Sequence, residues 1–353
     1  MSRALQLAAR GEYTTAPNPR VGCIIVRDNE ILGEGWHQFR GSAHAEINAL
    51  DSVSANARGA SCYVTLEPCN HSGHTGPCTE ALISSEISRL VCAMVDPNPL
   101  VAGEGLAKLT EAGIETSSGL MEAEAHKLNP GFIMRMTQKR PFVRCKMAMS
   151  LDARTAMASG ESKWITSAAA RRDVQKLRAG SAAIMTGIDT VLLDDPGLDV
   201  RDENTGRRDV LRVVLDRKLR MPVSAKMLTL TGRTLVFTNT EDSRKKQQIE
   251  AAGAEVIMLE ETGFLSAVLH FLAEHEEVND VLLEAGATLS GAMLEAGLID
   301  EIVLYQAPVI LGDAARGLFH LPAITSMKDK LQVEISDSRM VGVDRRMTYT
   351  VKR

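Results

Sequence analysis

Two short motifs bring together the residue types that bind a catalytic metal ion. One is HAE at residues 44–46, and the other is TLEPCNHSGHTGPC at residues 65–78, which holds two cysteines and two histidines. A catalytic zinc ion usually has three protein ligands and keeps its fourth position for water or substrate. His44, Cys69 and Cys78 are three ligands of the types that zinc prefers. The pattern therefore predicts a catalytic zinc site.

Glu46 stands two residues after His44 and is suited to proton transfer. A carboxylate beside a metal, but not bound to it, can move protons to and from the reacting water. Residues i and i+2 do not share a helix face, so we expect the triplet at a helix start, with Ser42 as the N-cap. Cys78 opens the next helical pattern, where the helix N-terminus favours a thiolate.

The order of these residues matches the H-x-E and P-C signature of zinc deaminases. Here, however, eight residues rather than two separate the two cysteines. A structural zinc with His71 or His74 as its fourth ligand is the competing interpretation, although such a site has no need of Glu46. A lone buried cysteine is more often a small hydrophobe than a ligand. We apply that interpretation to the remaining cysteines, Cys23, Cys62, Cys92 and Cys145.

Length and composition predict a globular protein of about two domains. The chain has 353 residues, of which 44% are hydrophobic and 24% charged. A net charge of −5 offers no general basic surface to nucleic acid. We find no secretory segment, no apolar stretch near the ~20 residues that span a bilayer, and no disulfide framework. These observations predict a cytoplasmic protein without a nucleic-acid or membrane partner.

Alternating strand and helix patterns place the motifs in an α/β fold with a largely parallel sheet flanked by helices. Helical patterns cover residues 2–10, 43–50, 78–87 and 105–113, and strand patterns cover 21–26, 30–37, 60–66 and 89–96. A second series has strands FVRCKMAMS, AAIMTG, LRVVLD, TLVFTN, EVIMLE, DVLLEAG and EIVLYQAPVILG, with helices such as 167–180 between them. The basic run 135–144 favours a solvated linker, and the prolines, glycine and basic residues of 128–141 predict a domain boundary near residue 140.

Longer blocks resemble one enzyme family, the bifunctional riboflavin-biosynthesis deaminase/reductase. The first half carries TTAPNPRVGCIIV, GSAHAEINAL, YVTLEPCNHSGHTGPC and MVDPNPLVAGEG. The second half carries KMAMSLDARTAMASGESKWITS, GIDTVLLDDPGLDVR and LEAGATLSGAMLEAGLIDEIVLYQAPVILG. The resemblance covers nearly the whole chain. It implies a cytidine-deaminase-like three-layer domain at 1–140, followed by a dihydrofolate-reductase-like α/β domain at 141–353.

The resemblance also implies two activities and their cofactors. The first domain would use Zn²⁺ to remove the 2-amino group of 2,5-diamino-6-ribosylamino-4(3H)-pyrimidinone 5′-phosphate. The second would use NADPH to reduce the ribosyl group to ribityl. Zinc ligands would be His44, Cys69 and Cys78, with Glu46 as proton shuttle. The implied partners are small pyrimidine nucleotides and further copies of the chain in a dimer or tetramer.

Four positions are implied to contact the deaminase substrate: Asn18, His71, His74 and Asn98. Position 74 is usually Lys or Arg in the family, so His74 would hold a phosphate less well once its imidazole is neutral. Asn70 and Gly76 replace the usual Ser and Pro, which would loosen the loop between the cysteines. Asn18 in PNPR also has an ordinary interpretation as a turn-former.

The second half has no G-x-G-x-x-G after a strand, which excludes a Rossmann fingerprint. A lone G-x-G in AGEGLAKL (102–109) is interpreted as a loop entering a helix. The better phosphate candidate is EAGATLSGA (284–292), because N–H groups at a helix start can bind a pyrophosphate. Tight strand–helix packing explains its glycines equally well.

The resemblance assigns the cofactor and substrate contacts of this half. NADPH contacts would be Ala148, Trp164, Thr190, Asp194, Gly286, Ala287, Thr288, Leu289, Ser290, Gly291 and Ala292. Arg217 replaces a small polar residue near the adenosine end and is a further candidate. Substrate contacts would be Ser162, Arg178, Leu198, Arg201 and Glu284. Lys146 resembles a lysine that lies close to the reacting ribose.

Two other functions compete with this interpretation. A tRNA deaminase shares HAE and PC, but the acidic balance and the wide cysteine spacing argue against it. The other alternative is a reductase whose first domain has no activity and is only a structural domain stabilised by zinc. Glu46 argues against that alternative.

Overall fold

The computed structural model describes residues 1–54, 56–70, 76–99, 101–202, 205–206 and 209–352. Within it the chain divides into two units, the first from Met1 to Arg140 and the second from Pro141 onward. Among the described helices, none combines the length and apolarity that a membrane crossing requires.

The first unit is built on a mixed five-stranded sheet in the order β2-β1-β3-β4-β5. Its strands are β1 (Gly22–Arg27), β2 (Glu30–Trp36), β3 (Ser61–Val64), β4 (Arg89–Cys92) and β5 (Glu115–Ser118). The pairs β1–β2 and β1–β3 are antiparallel, whereas β3–β4 and β4–β5 are parallel. The prediction of a largely parallel sheet was therefore wrong here. Asp28 and Asn29 both adopt positive φ and form a tight hairpin turn in place of a helical crossover.

Six helices cover the two faces of this sheet. They are α1 (Ser2–Ala8), α2 (Ala45–Asp51), α3 (Cys78–Ser84), α4 (Glu104–Glu111), α5 (Glu122–Leu128) and α6 (Pro130–Gln138). Residues of α2, α3 and α4 share one core cluster with Cys23, Cys62 and Cys92. Residues of α1 and α5 belong to a second cluster, with α6 packed against it. The result is a three-layer arrangement in which these three cysteines pack as hydrophobes, as expected.

Glycine at position 35 lets α2 lie directly on β2. A Cβ atom there would sit 2.3 Å from the backbone nitrogen of Ala49 and 2.4 Å from the carbonyl oxygen of Ala45. Any larger side chain would push α2 off the sheet. This close approach fixes the helix that carries Glu46.

The stretch 128–141, where the domain boundary is predicted, is mostly helical, so the prediction of a linker for the basic run 135–144 was wrong. Most of the stretch is α6, which starts with Pro130 at its first position, where a missing N–H has no helical partner to lose. Helix α6 ends at Gln138 and the next strand starts at Phe142. The basic side chains of the stretch belong to this helix and strand and to the short connection between them.

The second unit contains a nine-stranded sheet in the order β11-β10-β9-β8-β12-β6-β13-β16-β15. Its strands are β6 (Phe142–Met149), β8 (Ala183–Gly187), β9 (Leu211–Leu215), β10 (Thr234–Thr238), β11 (Glu255–Met258), β12 (Asp280–Leu283), β13 (Glu301–Gln306), β15 (Val333–Val341) and β16 (Asp344–Val351). A separate pair joins β7 (Arg154–Ala156) to β14 (Arg316–Gly317). All seven predicted strands are present and run parallel, and the terminal hairpin β15–β16 adds the antiparallel pairs β13–β16 and β15–β16 to this sheet.

Helices of the second unit follow the strands of the parallel part. They are α7 (Ala168–Ala179), α8 (Ile188–Asp194), α9 (Ser243–Ala251), α10 (Phe264–Glu274) and α11 (Ala287–Glu295). The main core cluster packs α10 and α11 against apolar residues of the sheet. Because the parallel strands share one direction, their carboxyl ends meet at one edge of the sheet, where α/β proteins commonly bind ligands.

Candidate active sites

The side chains of His44, Cys69 and Cys78 converge in the first unit, with their ligand atoms within 4.8 Å of one another. His44 Nδ1 lies 3.3 Å from Cys78 Sγ and 3.5 Å from Cys69 Sγ. Tetrahedral zinc with bonds of ~2.3 Å to sulfur and ~2.1 Å to nitrogen would place such atoms ~3.6 Å apart. The observed spacing and the donor set of one imidazole and two thiols both fit zinc.

Two of the three candidate ligands, His44 and Cys78, lie at the starts of helices. His44 is the N-cap of α2, with extended backbone, and Glu46 lies in the first turn, so both side chains point into the site. Cys78 is the first residue of α3, and its backbone N–H donates to Cys69 Sγ at 3.4 Å. The prediction of Ser42 as N-cap was wrong, because its hydroxyl donates to the Phe39 carbonyl at 2.7 Å in a turn of its own.

Glu46 is buried beside the ligand cluster, with 3% of its surface exposed. Burial raises the pKa of Glu46 to about 7. A carboxyl group with a pKa near neutrality can both accept and donate a proton at physiological pH. Hydrogen bonds from Cys78 and His44 lower the pKa of Cys69, which favours the thiolate that zinc requires.

Asn18 is held by a residue that the sequence analysis did not identify. Its Nδ2 lies 3.1 Å from Nε2 of His37, whose Nδ1 lies 3.2 Å from the Ala43 carbonyl oxygen. Since the carbonyl can only accept, the proton sits on Nδ1, and Nε2 accepts from the Asn18 amide. Burial lowers the pKa of His37, which keeps the ring neutral for this role. Asn18 also closes a turn by donating its backbone N–H to the Thr15 carbonyl at 2.9 Å.

Of the other candidate contacts to the deaminase substrate, the structure describes Asn98 but not His71 or His74. Asn98 lies in the loop after β4, where its backbone N–H donates to Asp96 Oδ1 at 2.8 Å. His71 and His74 lie outside the described residues. Asn70 Oδ1 accepts a hydrogen bond from the Thr79 hydroxyl at 3.0 Å, which ties the start of the inter-cysteine loop to α3. Gly76 has open space around it.

A cleft of about 1610 Å³ opens at the carboxyl edge of the parallel strands in the second unit. Most residues predicted for the reductase site line it: Lys146, Ala148, Ser162, Trp164, Arg178, Thr190, Asp194, Leu198, Arg201, Arg217, Glu284, Gly286, Ala287, Thr288, Leu289 and Ala292. Two do not, Ser290 and Gly291, which are buried within α11. A Cβ atom on Gly291 would lie 2.0 Å from the His320 carbonyl oxygen, so this glycine serves packing.

Charged side chains meet at the floor of the cleft. The parallel register pairs Leu283 with Cys145, so Glu284 and Lys146 come next on neighbouring strands. Arg178 donates from Nε and Nη2 to the two oxygens of Glu284 at 2.6 and 3.0 Å. Lys146 Nζ lies 4.0 Å from the same carboxylate. Burial alone would raise the pKa of Glu284. The charge and hydrogen bonds of Arg178, together with the charge of Lys146, outweigh burial and lower this pKa to about 2.

The rim of the cleft is rich in cations that suit a phosphorylated ligand. Trp164 is 70% exposed, and the guanidinium of Arg171 lies 4.4 Å from its ring centroid. Arg217 lies over the ring of Phe264 at 5.3 Å. Further lining cations that the sequence analysis did not name are Lys163, Arg171, Lys218, Arg220, Lys226 and Arg316.

Known families and proteins match both units. A family model described as the RibD C-terminal domain matches residues 141–344. One described as the cytidine and deoxycytidylate deaminase zinc-binding region matches residues 1–94. The riboflavin biosynthesis protein RibD of Escherichia coli K12 is 47% identical over a 356-position alignment that covers 98% of this chain and 96% of the E. coli protein. The chain belongs to the RibD family.

Solved RibD structures share the whole fold. RibD of Acinetobacter baumannii is 43% identical, with a TM-score of 0.91 over 99% of this chain and 97% of the other. A Thermotoga maritima diaminohydroxyphosphoribosylaminopyrimidine deaminase/5-amino-6-(5-phosphoribosylamino)uracil reductase is 32% identical, with a TM-score of 0.89 over 100% and 97%. The predicted cytidine-deaminase-like domain followed by a dihydrofolate-reductase-like domain is confirmed.

As a RibD family member, the chain is a bifunctional deaminase and reductase of riboflavin biosynthesis. Zn²⁺ and NADPH are its cofactors. The family favours this function over the tRNA deaminase and over a reductase with a purely structural zinc domain.

Proposed function

We propose that residues 1–140 form the zinc-dependent pyrimidine deaminase domain and that residues 141–353 form the NADPH-dependent reductase domain. The deaminase substrate is 2,5-diamino-6-ribosylamino-4(3H)-pyrimidinone 5′-phosphate. One observation carries the deaminase assignment: Glu46 is buried beside three side chains that have zinc-ligand spacing. A purely structural zinc site has no use for this carboxylate.

In the deaminase, His44, Cys69 and Cys78 would hold the metal. When bound, zinc lowers the pKa of its water toward ~7 and so supplies hydroxide near neutral pH. Glu46 accepts a proton from the attacking water and delivers it to the amine that leaves as ammonia. Asn18, oriented by His37, presents its amide to the pyrimidine edge. Asn98, His71 and His74 complete the substrate contacts.

In the reductase, the carboxyl edge of the sheet brings cofactor and substrate together. NADPH supplies the hydride when bound. Backbone N–H groups at the start of α11 receive its pyrophosphate, and Ala148, Trp164, Thr190, Asp194 and Arg217 contact the rest. Lys146 holds the proton that the ribose ring oxygen needs as the ring opens. Burial lowers the pKa of Lys146, which eases release of this proton.

The proposed reductase substrate contacts fall into two groups, one for the phosphate and one for the ribose. Arg201 is exposed at the cleft and binds the substrate phosphate. Glu284 faces the ribose beside Lys146, and Ser162 and Leu198 line the same space. Arg178 lines the same space and holds the Glu284 carboxylate in place through two hydrogen bonds.

Two further expectations concern the whole protein. All six cysteines are free thiols, which supports a reducing cytoplasmic compartment. The edge strand β15 exposes Val333, Ile335 and Met340, and an exposed apolar strand edge is a surface that a second copy can cover. Sedimentation analysis of the wild-type protein should therefore find a homo-oligomer.

Chelation separates the two activities. With a zinc chelator present, we expect the protein to stop releasing ammonia from the diaminopyrimidine nucleotide. It should still oxidise NADPH with the deaminated nucleotide, because His44, Cys69 and Cys78 belong to the first unit and do not line the reductase cleft. Ammonia release from tRNA but not from the nucleotide would overturn the assignment, and so would loss of NADPH oxidation together with the zinc.

A further inference from the structure

Glu67, just before the Pro-Cys motif, is a buried carboxylate that the deaminase chemistry does not use. Only 4% of its surface is exposed. Its Oε2 accepts hydrogen bonds from the backbone N–H groups of Asp96 and Gly103, both at 3.0 Å. Its Oε1 accepts from the N–H groups of Gly105 and Leu106 at 2.9 and 3.2 Å. A carboxylate offers about four acceptor sites, so these four bonds saturate it.

The lone G-x-G motif of residues 103–105 explains why these N–H groups converge. Gly103 has a φ of +85°, which turns its N–H toward the carboxylate. A Cβ atom on Gly105 would lie 2.2 Å from the Pro68 carbonyl oxygen, so only glycine lets the loop approach this closely. The motif, interpreted from the sequence as a simple loop entry, binds an internal carboxylate.

These bonds join two parts of the deaminase site. Glu67 stands two residues before Cys69, and its own N–H donates to the Met94 carbonyl at 3.0 Å. The segment it holds, residues 96–99 and 101–106, contains Asn98, whose carbonyl accepts from the N–H groups of Val101 and Ala102 at 2.9 and 3.0 Å. Glu67 therefore fixes the loop that carries Asn98 relative to the loop that carries Cys69.

We propose that Glu67 is a positioning residue of the deaminase, which sets substrate binding through the Asn98 loop without touching the substrate. This inference rests on the proposed function of the first unit. A merely structural role would lower stability without changing the Michaelis constant, whereas a positioning role changes substrate affinity in a folded, zinc-loaded protein.

The isosteric substitution Glu67→Gln tests the role in the full-length enzyme. The amide has one acceptor oxygen, so its NH₂ group must face two of the four backbone N–H groups and release one side of the loop. We expect stoichiometric zinc, unchanged reductase kcat/KM as an internal control, and a rise of roughly tenfold in KM for the diaminopyrimidine nucleotide with a smaller change in kcat. The matched control is Glu115→Gln, at an exposed carboxylate of β5, which should leave KM unchanged.

A double-mutant cycle with Asn98→Ala identifies the route of the effect. If Glu67 acts through Asn98, the double variant should have the same KM as Asn98→Ala alone. The proposal would be overturned if the KM increases of the two single variants multiplied in the double variant. A wild-type KM in Glu67→Gln would also overturn it. If Glu67→Gln fails to fold, Gly105→Ala decides, because its Cβ displaces the same loop from Pro68: a raised KM supports the proposal and a wild-type KM overturns it.

Failure of the proposed function gives a different result. A wild-type protein that releases no ammonia would contradict the deaminase assignment itself. An active wild type whose KM is unchanged by Glu67→Gln and by Gly105→Ala, but raised by Asn98→Ala, would contradict only the role of Glu67.

Discussion

Arg178 and Glu284 form a bidentate ion pair at the floor of the reductase cleft, with N–O distances of 2.6 and 3.0 Å. Both side chains are nearly buried, at 10% and 12% exposure. A third guanidinium nitrogen donates to the Asp199 carbonyl at 3.0 Å. The arginine therefore holds in place the carboxylate that faces Lys146.

Replacing Arg178 with Met should damage both stability and catalysis. Removing one partner of a buried ion pair leaves an uncompensated charge and costs about 3–5 kcal/mol. Urea unfolding of the second unit should register this loss, and reductase kcat/KM should fall with it. The matched control is Lys352→Met, which breaks the exposed pair with Glu334 and should cost at most about 1 kcal/mol. Equal effects of the two substitutions would contradict the role given to Arg178.

The stability of the second unit should fall in acid because of Glu284. The pKa of Glu284 is about 2 in the folded protein, against ~4.3 for an unperturbed glutamate. Its contribution is therefore fully present above pH ~4.3 and is lost as the pH falls toward 2. Thermal unfolding midpoints between pH 6 and 3 should decline less steeply in Glu284→Gln than in wild type. Identical slopes would mean that other carboxyl groups dominate acid unfolding.

His37 should matter to the deaminase only through Asn18. Phenylalanine at position 37 keeps a flat ring but removes the acceptor for the Asn18 amide. We expect His37→Phe to lower kcat/KM for ammonia release roughly tenfold, while NADPH oxidation stays unchanged. The double variant His37→Phe/Asn18→Ala should match Asn18→Ala. A further loss in the double variant would reveal a role of His37 independent of Asn18.

Two glycines of the proposed NADPH segment should respond in opposite ways. Gly286 lines the cleft, and a Cβ atom added there would meet no other atom within 4 Å, whereas a Cβ on Gly291 would collide with the His320 carbonyl. Gly286→Ala should raise KM for NADPH with little change in thermal midpoint. Gly291→Ala should lower the thermal midpoint of the second unit by several degrees. The reverse pattern would place Gly291 in the cofactor site.

The zinc-ligand cluster could be predicted from the sequence because each ligand belongs to a short motif at a strand–helix junction. His37 and Glu67 were not predicted as functional residues. A single histidine at a strand end and a glutamate before Pro-Cys have no characteristic spacing to other residues that would indicate a role. The Arg178–Glu284 pair joins residues far apart in sequence, and only the parallel register of β12 on β6 brings Glu284 beside Lys146.

The fold was predictable where apolar periodicity is strong. The seven parallel strands of the second unit are short apolar runs, and each was identified. Strand β5, with the sequence ETSS, and the exposed strand β15 lack that pattern and were missed. The end of helix α6 was taken for a linker because its basic run hid the helical spacing, although proline at the first position of this helix is favourable.

The central claim is that the first unit is a zinc deaminase in which Glu46 moves the proton. The most direct measurement combines the zinc content with the rate of ammonia release from the diaminopyrimidine nucleotide, for wild type and Glu46→Gln. We predict one zinc per chain in both proteins and a loss of ~10²-fold or more in ammonia release by the variant, with reductase activity retained. A wild type without zinc, or a fully active variant, would contradict the claim.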